Sequence, residues 1–536
     1  MLRSTFLGYR TATSALKVHQ SFMDVTGQNL ANINTKGYTR QRLDTASFGF
    51  TARNLKYSLE GEVIGQGVKS LGVSQYRDAF LDLRYRTTAA KTGDQEVQLE
   101  ALMDVEAIMD EIIKEGLDSQ FSDLLTQLHS LTSSPSDPVL EGVVRTSAQI
   151  LTQMFNNYSV QLETIKEQQL NYLKDGAVEE VNKLLKNIAN LNQQIKENNI
   201  GGNPALELND ERNLLIDELS SYLNIEVSVK KINIGASNTV DELSINLKLS
   251  DGSLVKIIDN KEFAQFKVPD IPAGQTDVAI ELDKNIDSNI TDLADFNSTF
   301  TDKIDKGQIG GYIKFINGKG EYALATDVDS QNKGIQYYQN MLDTLANKFA
   351  SIMNDLNRKP IGYDADGIGN AWENKDLFES RDGALTDITA KSIKISDDWA
   401  ASTGSYITNT IVEPSGNDST GATDNILRMI NAFKEKREFT TNFDGTGNGL
   451  FKGTFQEFMT FTTTRLNLQV DDVEKSFESY LISQHEIDFY RSSLSSVDLN
   501  EEGVNLLQYS KSYNAAARLM TTLDEMLDTL INRMGV

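Results

Sequence analysis

Apolar residues recur at alternating steps of three and four along both ends of the chain. This spacing places them on one stripe of a helix and is typical of coiled-coil packing. At the C-terminal end the stripe comprises Leu506, Tyr509, Tyr513, Ala516, Met520, Leu523, Leu527 and Leu530. At the N-terminal end it is weaker and comprises Leu2, Phe6, Tyr9, Leu16, Met23 and Leu30. Each end is therefore predicted to be a long helix with an apolar seam for assembly.

A further stripe falls on every seventh residue from Met459 to Leu494. The C-terminal part of the chain is therefore predicted to form two helices, separated near 495–500. All seven prolines lie between Pro135 and Pro414, which leaves both ends free of the residue that most often breaks helices.

The middle of the chain opens with another long helix. Asp137 and Pro138 predict its start, since a carboxylate caps a helix and proline is tolerated at the first helical position. Apolar residues then recur every seven positions from Val144, and the helix is expected to reach 198–202, with a possible bend at Gly176. An earlier helix, about 96–131, is expected to pack antiparallel against it.

Apolar and polar residues alternate in 226–229 and 243–249, which is the pattern of half-buried strands. Asp251 and Gly252 predict a hairpin turn between strands. Residues 342–356 return to a helical pattern, whereas 360–453 are rich in Gly, Asp, Asn and Thr and are expected to be irregular β structure and loop.

Together these patterns predict a multidomain α+β protein: an elongated α-helical coiled-coil or bundle rod, formed by both termini, with an inserted β domain. A chain of 536 residues exceeds what one hydrophobic core usually organises. The expected units are 1–56 paired with 495–536, a helical rod domain of 57–225 completed by 326–359 and 454–494, the β domain 226–325, and the irregular region 360–453.

Composition narrows the function. The formal net charge of -26 argues against nucleic-acid binding and against binding to an anionic membrane, and no apolar stretch predicts membrane insertion. The absence of cysteine excludes disulfides and thiolate chemistry. Residues 1–56 hold eight basic and two acidic side chains (+6), and 494–536 hold three and six (-3), so the two helical ends are expected to attract each other.

The sequence contains no catalytic or metal-binding motif that has both the residue spacing and the surrounding secondary structure that such a motif requires. His485 and Glu486 begin like a zinc-protease helix, but Phe489 stands where the second histidine is required. The acidic loop 364–370 has its glycine at the wrong position for an EF-hand, and 445–449 opens no evident helix. No enzyme activity, cofactor or metal site is predicted.

Two terminal segments resemble the signatures of the axial proteins of the bacterial flagellum, which form its rod, hook and hook-associated parts. The first, 28–41, carries an Asn-rich turn after the first helix, with Asn29, Asn32, Asn34, Gly37 and Tyr38 as its signature residues. The second is 499–507 followed by 513–518. The sequence departs from the usual pattern at Lys36, Ser496 and Asn500, so the turns at those positions are expected to differ from those of other family members.

Internal segments narrow the resemblance to the FlgK family of hook-associated proteins, which form the hook–filament junction. These segments are 181–195, 208–219 and parts of 310–378. The resemblance implies a structural subunit, secreted by flagellar type III export, that polymerises outside the cell and whose terminal helices line the axial tube. It further implies these partners: copies of itself in a ring, the hook protein, a second hook-associated junction protein, and an export chaperone on the C-terminal helix.

Two other functions remain open. A hook or rod subunit shares the terminal signatures, but such proteins are mostly β between their ends, so the long helix after Pro138 disfavours them. A secreted enzyme carried on coiled coils would need a cleft built from 360–453.

Overall fold

A computed structural model describes residues 5–48, 67–111, 116–235, 238–270, 276–284, 299–300, 303–323, 332–358, 375–410, 421–445 and 447–533. The first six helices are α1 (Thr5–Ala31), α2 (Ala79–Glu111), α3 (Leu117–Leu131), α4 (Pro138–Asn171), α5 (Glu179–Ile200) and α6 (Leu206–Tyr222). The others are α7 (Gly307–Asn317), α8 (Ile335–Arg358), α9 (Asp397–Ala401), α10 (Asp424–Lys434), α11 (Phe455–Ser495) and α12 (Leu499–Asp528).

The strands form four antiparallel sheets within the described residues. The largest has six strands in sequence order: β3 (Ile225–Gly235), β4 (Asn238–Lys248), β5 (Leu254–Asp259), β6 (Glu262–Lys267), β7 (Ile280–Lys284) and β8 (Thr299–Phe300). The three others are pairs, namely β1 (Gln41–Ser47) with β2 (Val68–Gln75), β9 (Phe378–Ser380) with β10 (Ile393–Ile395), and β11 (Arg437–Thr440) with β12 (Gly449–Gly453).

The long central helix begins where the sequence predicts. The Asp137 carboxylate accepts a hydrogen bond from the Val139 amide and caps α4, with Pro138 at the first position. The seven-residue seam of α4 is buried, from Val144 to Ile165. Near Gly176 the helix changes to a π-helical segment (Tyr172–Val178) before continuing as α5, so the expected bend is a local change of helix type.

The core joins helices that are distant in sequence. Phe121 of α3 lies 5.3 Å from Phe349 of α8 and 5.8 Å from Phe455 of α11, measured between ring centroids. Phe433 of α10 completes the cluster at 6.2 Å from Phe121. The expectation of irregular structure in 360–453 was therefore wrong for 424–434, which form a helix whose apolar face enters this core.

Three other sequence-based expectations need correction. Helix 96–131 is two helices, α2 and α3, of which α2 begins seventeen residues earlier, at Ala79. β structure does not extend to 325, because 307–317 form α7, which packs against α2. The β1–β2 ribbon was not predicted, since its strands lack a strong apolar alternation and pair across an intervening segment. The boundaries of the four units stay a prediction.

The sheet of β3 to β8 lies against α5. The side-chain amide of Asn182 donates to the Phe266 carbonyl (2.9 Å) and accepts from the Phe266 backbone amide (2.8 Å). One residue of α5 is therefore hydrogen-bonded to both backbone groups of Phe266 in β6. Gly252 takes a φ of +80° in the turn between β4 and β5, which is the hairpin predicted from Asp251 and Gly252.

One carboxyl of α8 is expected to make the stability of the contact with Ala390 depend on pH. Asp343 Oδ1 accepts a hydrogen bond from the Ala390 amide at 2.8 Å, and burial raises the pKa of Asp343 from 3.8 to about 6. Because the folded-state pKa is the higher one, the stabilisation is fully present below about pH 4 and is lost as the pH rises through about 6.

Asp343→Asn is expected to raise the free energy of unfolding at pH 7 by on the order of 1–2 kcal/mol, because the charged carboxylate is then no longer desolvated, and to have little effect at pH 4. Urea denaturation at both pH values measures this. Asp355→Asn, at an exposed position of the same helix, is the control and should change stability by less than about 0.5 kcal/mol. An equal effect of Asp343→Asn at both pH values would contradict the assignment.

Candidate assembly interface at the paired termini

The terminal helices α1 and α12 lie side by side and antiparallel. Phe22 stacks on Tyr509 with ring centroids 4.5 Å apart, and the Thr13 hydroxyl contacts the Met520 sulfur at 3.9 Å. Nearer the N-terminus, Gly8 faces Leu523, whose methyl carbons lie 3.4 Å from the place a Cβ would occupy. Each step forward along α1 is thus a step backward along α12.

The predicted seam residues have different environments. Leu16, Met23, Leu30, Tyr509, Tyr513, Met520, Leu523 and Leu527 are half-buried, Ala516 is buried, and Tyr9 and Leu506 are exposed. Leu2 and the side chains of Phe6 and Leu530 lie outside the described residues. The α12 stripe includes residues that face α1 within the same chain, and its role in assembly stays a prediction.

The sequence pattern missed the most buried line of α1. That line contains Ala12, Val18, Thr26 and Asn29, none of which belongs to the stripe on which the prediction relied, and all but Val18 are small or polar. The β1–β2 ribbon covers a second side of α1, where the Val68 amide donates to the Ser14 hydroxyl. A search for small residues at helical spacing would have found part of this line.

Further large apolar side chains of α12 are exposed, on the sides of the helix outside the stripe that faces α1. They are Val504, Leu507, Leu519 and Met526, with Ile531 just beyond the helix. Exposed large apolar side chains on one helix mark a surface for contact with another molecule. This set is called the outer line below.

The signature turn is organised by Asn29. Its Oδ1 accepts hydrogen bonds from the Gln41 amide and the Tyr38 hydroxyl, both at 2.9 Å, and its Nδ2 donates to the Gln41 carbonyl at 2.9 Å. Burial and nearby carboxylates raise the pKa of Tyr38, so its hydroxyl stays protonated as a donor. One buried amide therefore joins the end of α1 to the start of β1.

The other signature residues act locally. Asn32 donates to the Gln28 carbonyl at 3.0 Å and accepts from the Thr35 hydroxyl at 3.2 Å, which closes the last turn of α1. Gly37 takes a φ of +81°, a conformation that favours glycine. Asn34 is exposed.

Arg40 fastens this turn to the beginning of α12. Its Nε lies 2.8 Å from Glu502, and its two terminal nitrogens donate to Glu501 at 2.9 and 2.7 Å. Glu502 is only 2% exposed, so the pair with Arg40 is desolvated. Hydrogen bonding to Glu501 raises the pKa of Arg40. The two signatures, 462 residues apart in sequence, thus meet through a charge-assisted fork.

The departures from the signature pattern fit the observed backbone. Ser496 has φ -75° and ψ 158°, an extended conformation that does not require glycine. The start of α12 is capped by Asp498, which accepts from the amides of Asn500 and Glu501. Asn500 therefore contributes to the cap through its backbone rather than its side chain.

A network of buried ion pairs lies next to the signature turn, on the side of α6 and α11. The Thr39 amide donates to Asp210 of α6 at 2.9 Å. Arg491 of α11 lies 2.7 Å from Asp217 of α6 and 4.3 Å from the centre of the Tyr85 ring. Beside this network lies a polar cleft of about 610 Å³, between the signature turn, α2, α6 and α11. Among its lining residues, Arg77 pairs with Asp82 and Arg491 with Asp217, which is typical of a network that stabilises a fold.

Ala516→Trp is expected to weaken the α1–α12 pair by about 1–3 kcal/mol, because Ala516 is buried where the helices lie close and overpacking strains them. Hydrogen exchange of the α1 amides measures the loss. Ala515→Trp is the matched control, since the neighbouring Ala515 is exposed. Equal exchange in both variants would show that Ala516 is not in the tight contact.

Within the described residues, no group of three or more His, Asp or Glu side chains is arranged to hold a metal ion. The same part of the chain contains no helix with both the length and the apolar composition needed to cross a bilayer.

Comparison with known proteins identifies the family to which the helical region belongs. The family model described as the flagellar hook-associated protein FlgK helical domain matches residues 102–378, just over half of the chain. The chain belongs to the FlgK family. Two further models match the terminal helices: flagella basal body rod protein over 10–39, and flagellar basal body rod FlgEFG protein C-terminal over 492–534.

Relatives within the family extend over the whole chain. Flagellar hook-associated protein 1 of Bacillus subtilis (strain 168) is 29% identical over 542 residues, covering 100% of this chain and 99% of the relative. The protein of the same name from Salmonella typhimurium is 26% identical over 370 residues, covering 68% of this chain and 58% of the relative. This FlgK-family chain is thus a structural subunit of the bacterial flagellum that associates with other axial components.

Among solved structures, the flagellar hook junction protein FlgK from Burkholderia pseudomallei is similar with 17% identity and a TM-score of 0.40. The similarity covers 56% of this chain and 45% of that protein.

Proposed function

We propose that this chain forms the junction between the hook and the filament after export through the flagellar type III apparatus. The observation that supports this most directly is the match of 102–378 to the hook-associated helical domain, which lies between terminal segments matched by rod-protein models. In this role the α1–α12 pair enters the axial tube, and the remaining helices and the sheet lie outside it.

The geometry of α12 suggests that one side of the helix contacts α1 and the other side contacts neighbouring subunits. The inner stripe, with Tyr509, Met520 and Leu523, contacts α1 in the same chain. The outer line has no cover within the described residues and is therefore available to neighbours. We place the contacts with other subunits on the outer line and on exposed seam residues such as Tyr9 and Leu506.

Its neighbours in this role are further copies of the chain in a ring, the hook protein, and a second hook-associated protein. The outer line also supports a chaperone partner before export, because an uncovered apolar helix face is an aggregation hazard in a free subunit. A chaperone that covers the C-terminal helix would remove this hazard.

A hook or rod subunit is the alternative, because the terminal models carry rod-protein names. The helical domain match disfavours it. The enzyme alternative required a cleft built from 360–453, whereas the 610 Å³ cleft is lined by the signature turn, α2, α6 and α11.

Cells that lack this chain are expected to build complete hooks, to bear no filaments and to release flagellin into the medium, because the filament would have no base. Electron microscopy of isolated hook–basal bodies and an immunoblot of the medium measure this, with the wild-type gene restored as control. Loss of the hooks themselves would indicate a rod or hook subunit and overturn the junction role. Normal filaments would exclude both the junction role and a role as a rod or hook subunit.

A further inference from the structure

The exposed face of α4 carries no charged side chain along most of the helix. Its outward positions recur every three or four residues and are Val139, Val143, Thr146, Ile150, Gln153, Asn157, Val160 and Thr164. Solvated helix faces are normally rich in Glu, Lys and Arg. In a chain of which 24% is charged, this face is an exception.

The charged residues around this face are few, and each forms a hydrogen bond or an ion pair within the chain. Residues 119–164, which reach the last outward position of the face, hold five charged side chains in 46 positions, against 128 in 536 for the chain. Each has a partner inside the chain. Asp123 accepts from the Ser147 hydroxyl, Asp137 caps α4, buried Glu141 accepts from the Trp399 indole, and Arg145 donates to the Ser402 carbonyl. Glu163, beside the end of the face, pairs with Lys391.

The same face exposes large apolar groups. Val139 is 74% exposed, and Val143, Ile150 and Val160 are also exposed. Few charges together with exposed aliphatic groups characterise the core of a protein–protein interface rather than a solvated surface. The strip is straight and rigid, since α4 is fixed to the core by its buried seam.

We infer that this face of α4 is a lateral contact between copies of this chain, an inference that rests on the proposed function. Copies that each carry a charge of -26 repel one another through their charged surfaces, so they approach most easily where both contact surfaces lack charge. A basic partner would instead be attracted to acidic positions, of which this face has none.

The size of the strip indicates when the contact forms. Its 26 residues span about 39 Å, and a strip about 10 Å wide gives about 400 Å² per partner, half of what a stable interface usually buries. The face is therefore too small to hold a dimer in solution. It acts in an assembly, where each copy is held at several surfaces at once.

Photo-cross-linking in intact flagella tests this inference. Val160 is replaced by the photoreactive p-benzoyl-phenylalanine, and Val229 of β3 serves as the matched control, since the two valines are 51% and 53% exposed. Irradiation of flagella with the photoreactive residue at position 160 is expected to yield a cross-linked product of twice the 59.6 kDa chain mass. No such product is expected from position 229, or from the free monomer.

A product with a different protein, equal yields at both positions, or no product from chains present in the particles would overturn the inference while leaving the proposed function intact. Absence of the chain from the particles would overturn both.

Discussion

Replacing Arg40 with methionine is expected to detach the signature turn from α12 and to lower the stability of the paired termini by about 3–5 kcal/mol. The reason is Glu502, which is almost fully buried and would be left without its cation. Glu501 is exposed and can be hydrated, so its loss of Arg40 contributes little. Hydrogen exchange of α1 and α12 in the monomer measures the effect.

Arg42→Met is the matched control, two residues away. Arg42 pairs with Asp44 at 3.1 Å and lies over the Tyr76 ring, but its side chain is 50% exposed and that of Asp44 39%, so no buried charge is left behind and the cost should stay below about 1 kcal/mol. The double variant Arg40→Met with Glu502→Met is expected to recover much of the loss, because no buried charge is then left unpaired. If Arg40→Met and Arg42→Met lowered stability equally, the fork would not hold the termini together.

Leu523→Asp is expected to separate α12 from α1 and to stop incorporation into the flagellum. Leu523 packs against Gly8 and is half-buried in the helix pair, and a desolvated charge costs several kcal/mol. Both the exchange protection of α1 in the monomer and filament growth should be lost.

Leu519→Asp separates pairing from assembly. Leu519 lies on the outer line and is exposed in the single chain, so a charge there should leave α1 protected in the monomer. Filament growth should still fail, because the outer line is proposed to contact neighbours. Swimming cells with normal filaments in the Leu519→Asp strain would contradict that proposal, whereas a loss of monomer protection would place Leu519 in the intrachain contact.

Local sequence patterns predicted the parts of the fold that depend on neighbouring residues. The break between α11 and α12, the cap of α4 at Asp137 and the turn at Gly252 all follow from short-range rules. The family signatures were likewise visible in 28–41 and 499–507, because their turn chemistry is local.

Features that depend on distant residues could not be predicted in this way. Neither the fork from Arg40 to Glu502 nor the aromatic cluster of Phe121, Phe349 and Phe455 has a local pattern. The most buried positions of α1 were missed because three of them, Ala12, Thr26 and Asn29, are small or polar, and burial of such residues leaves little hydrophobic periodicity. Helix α10 was missed because it lies in a region whose composition favours turns.

A cryo-electron map of the boundary between hook and filament tests the central claim most directly. The account predicts a ring of this chain there, with each α1–α12 pair lining the tube and with Leu507, Leu519 and Met526 against neighbouring subunits. A boundary without this chain, or a ring in which the outer line faces solvent and the pair lies outside the tube, would contradict it.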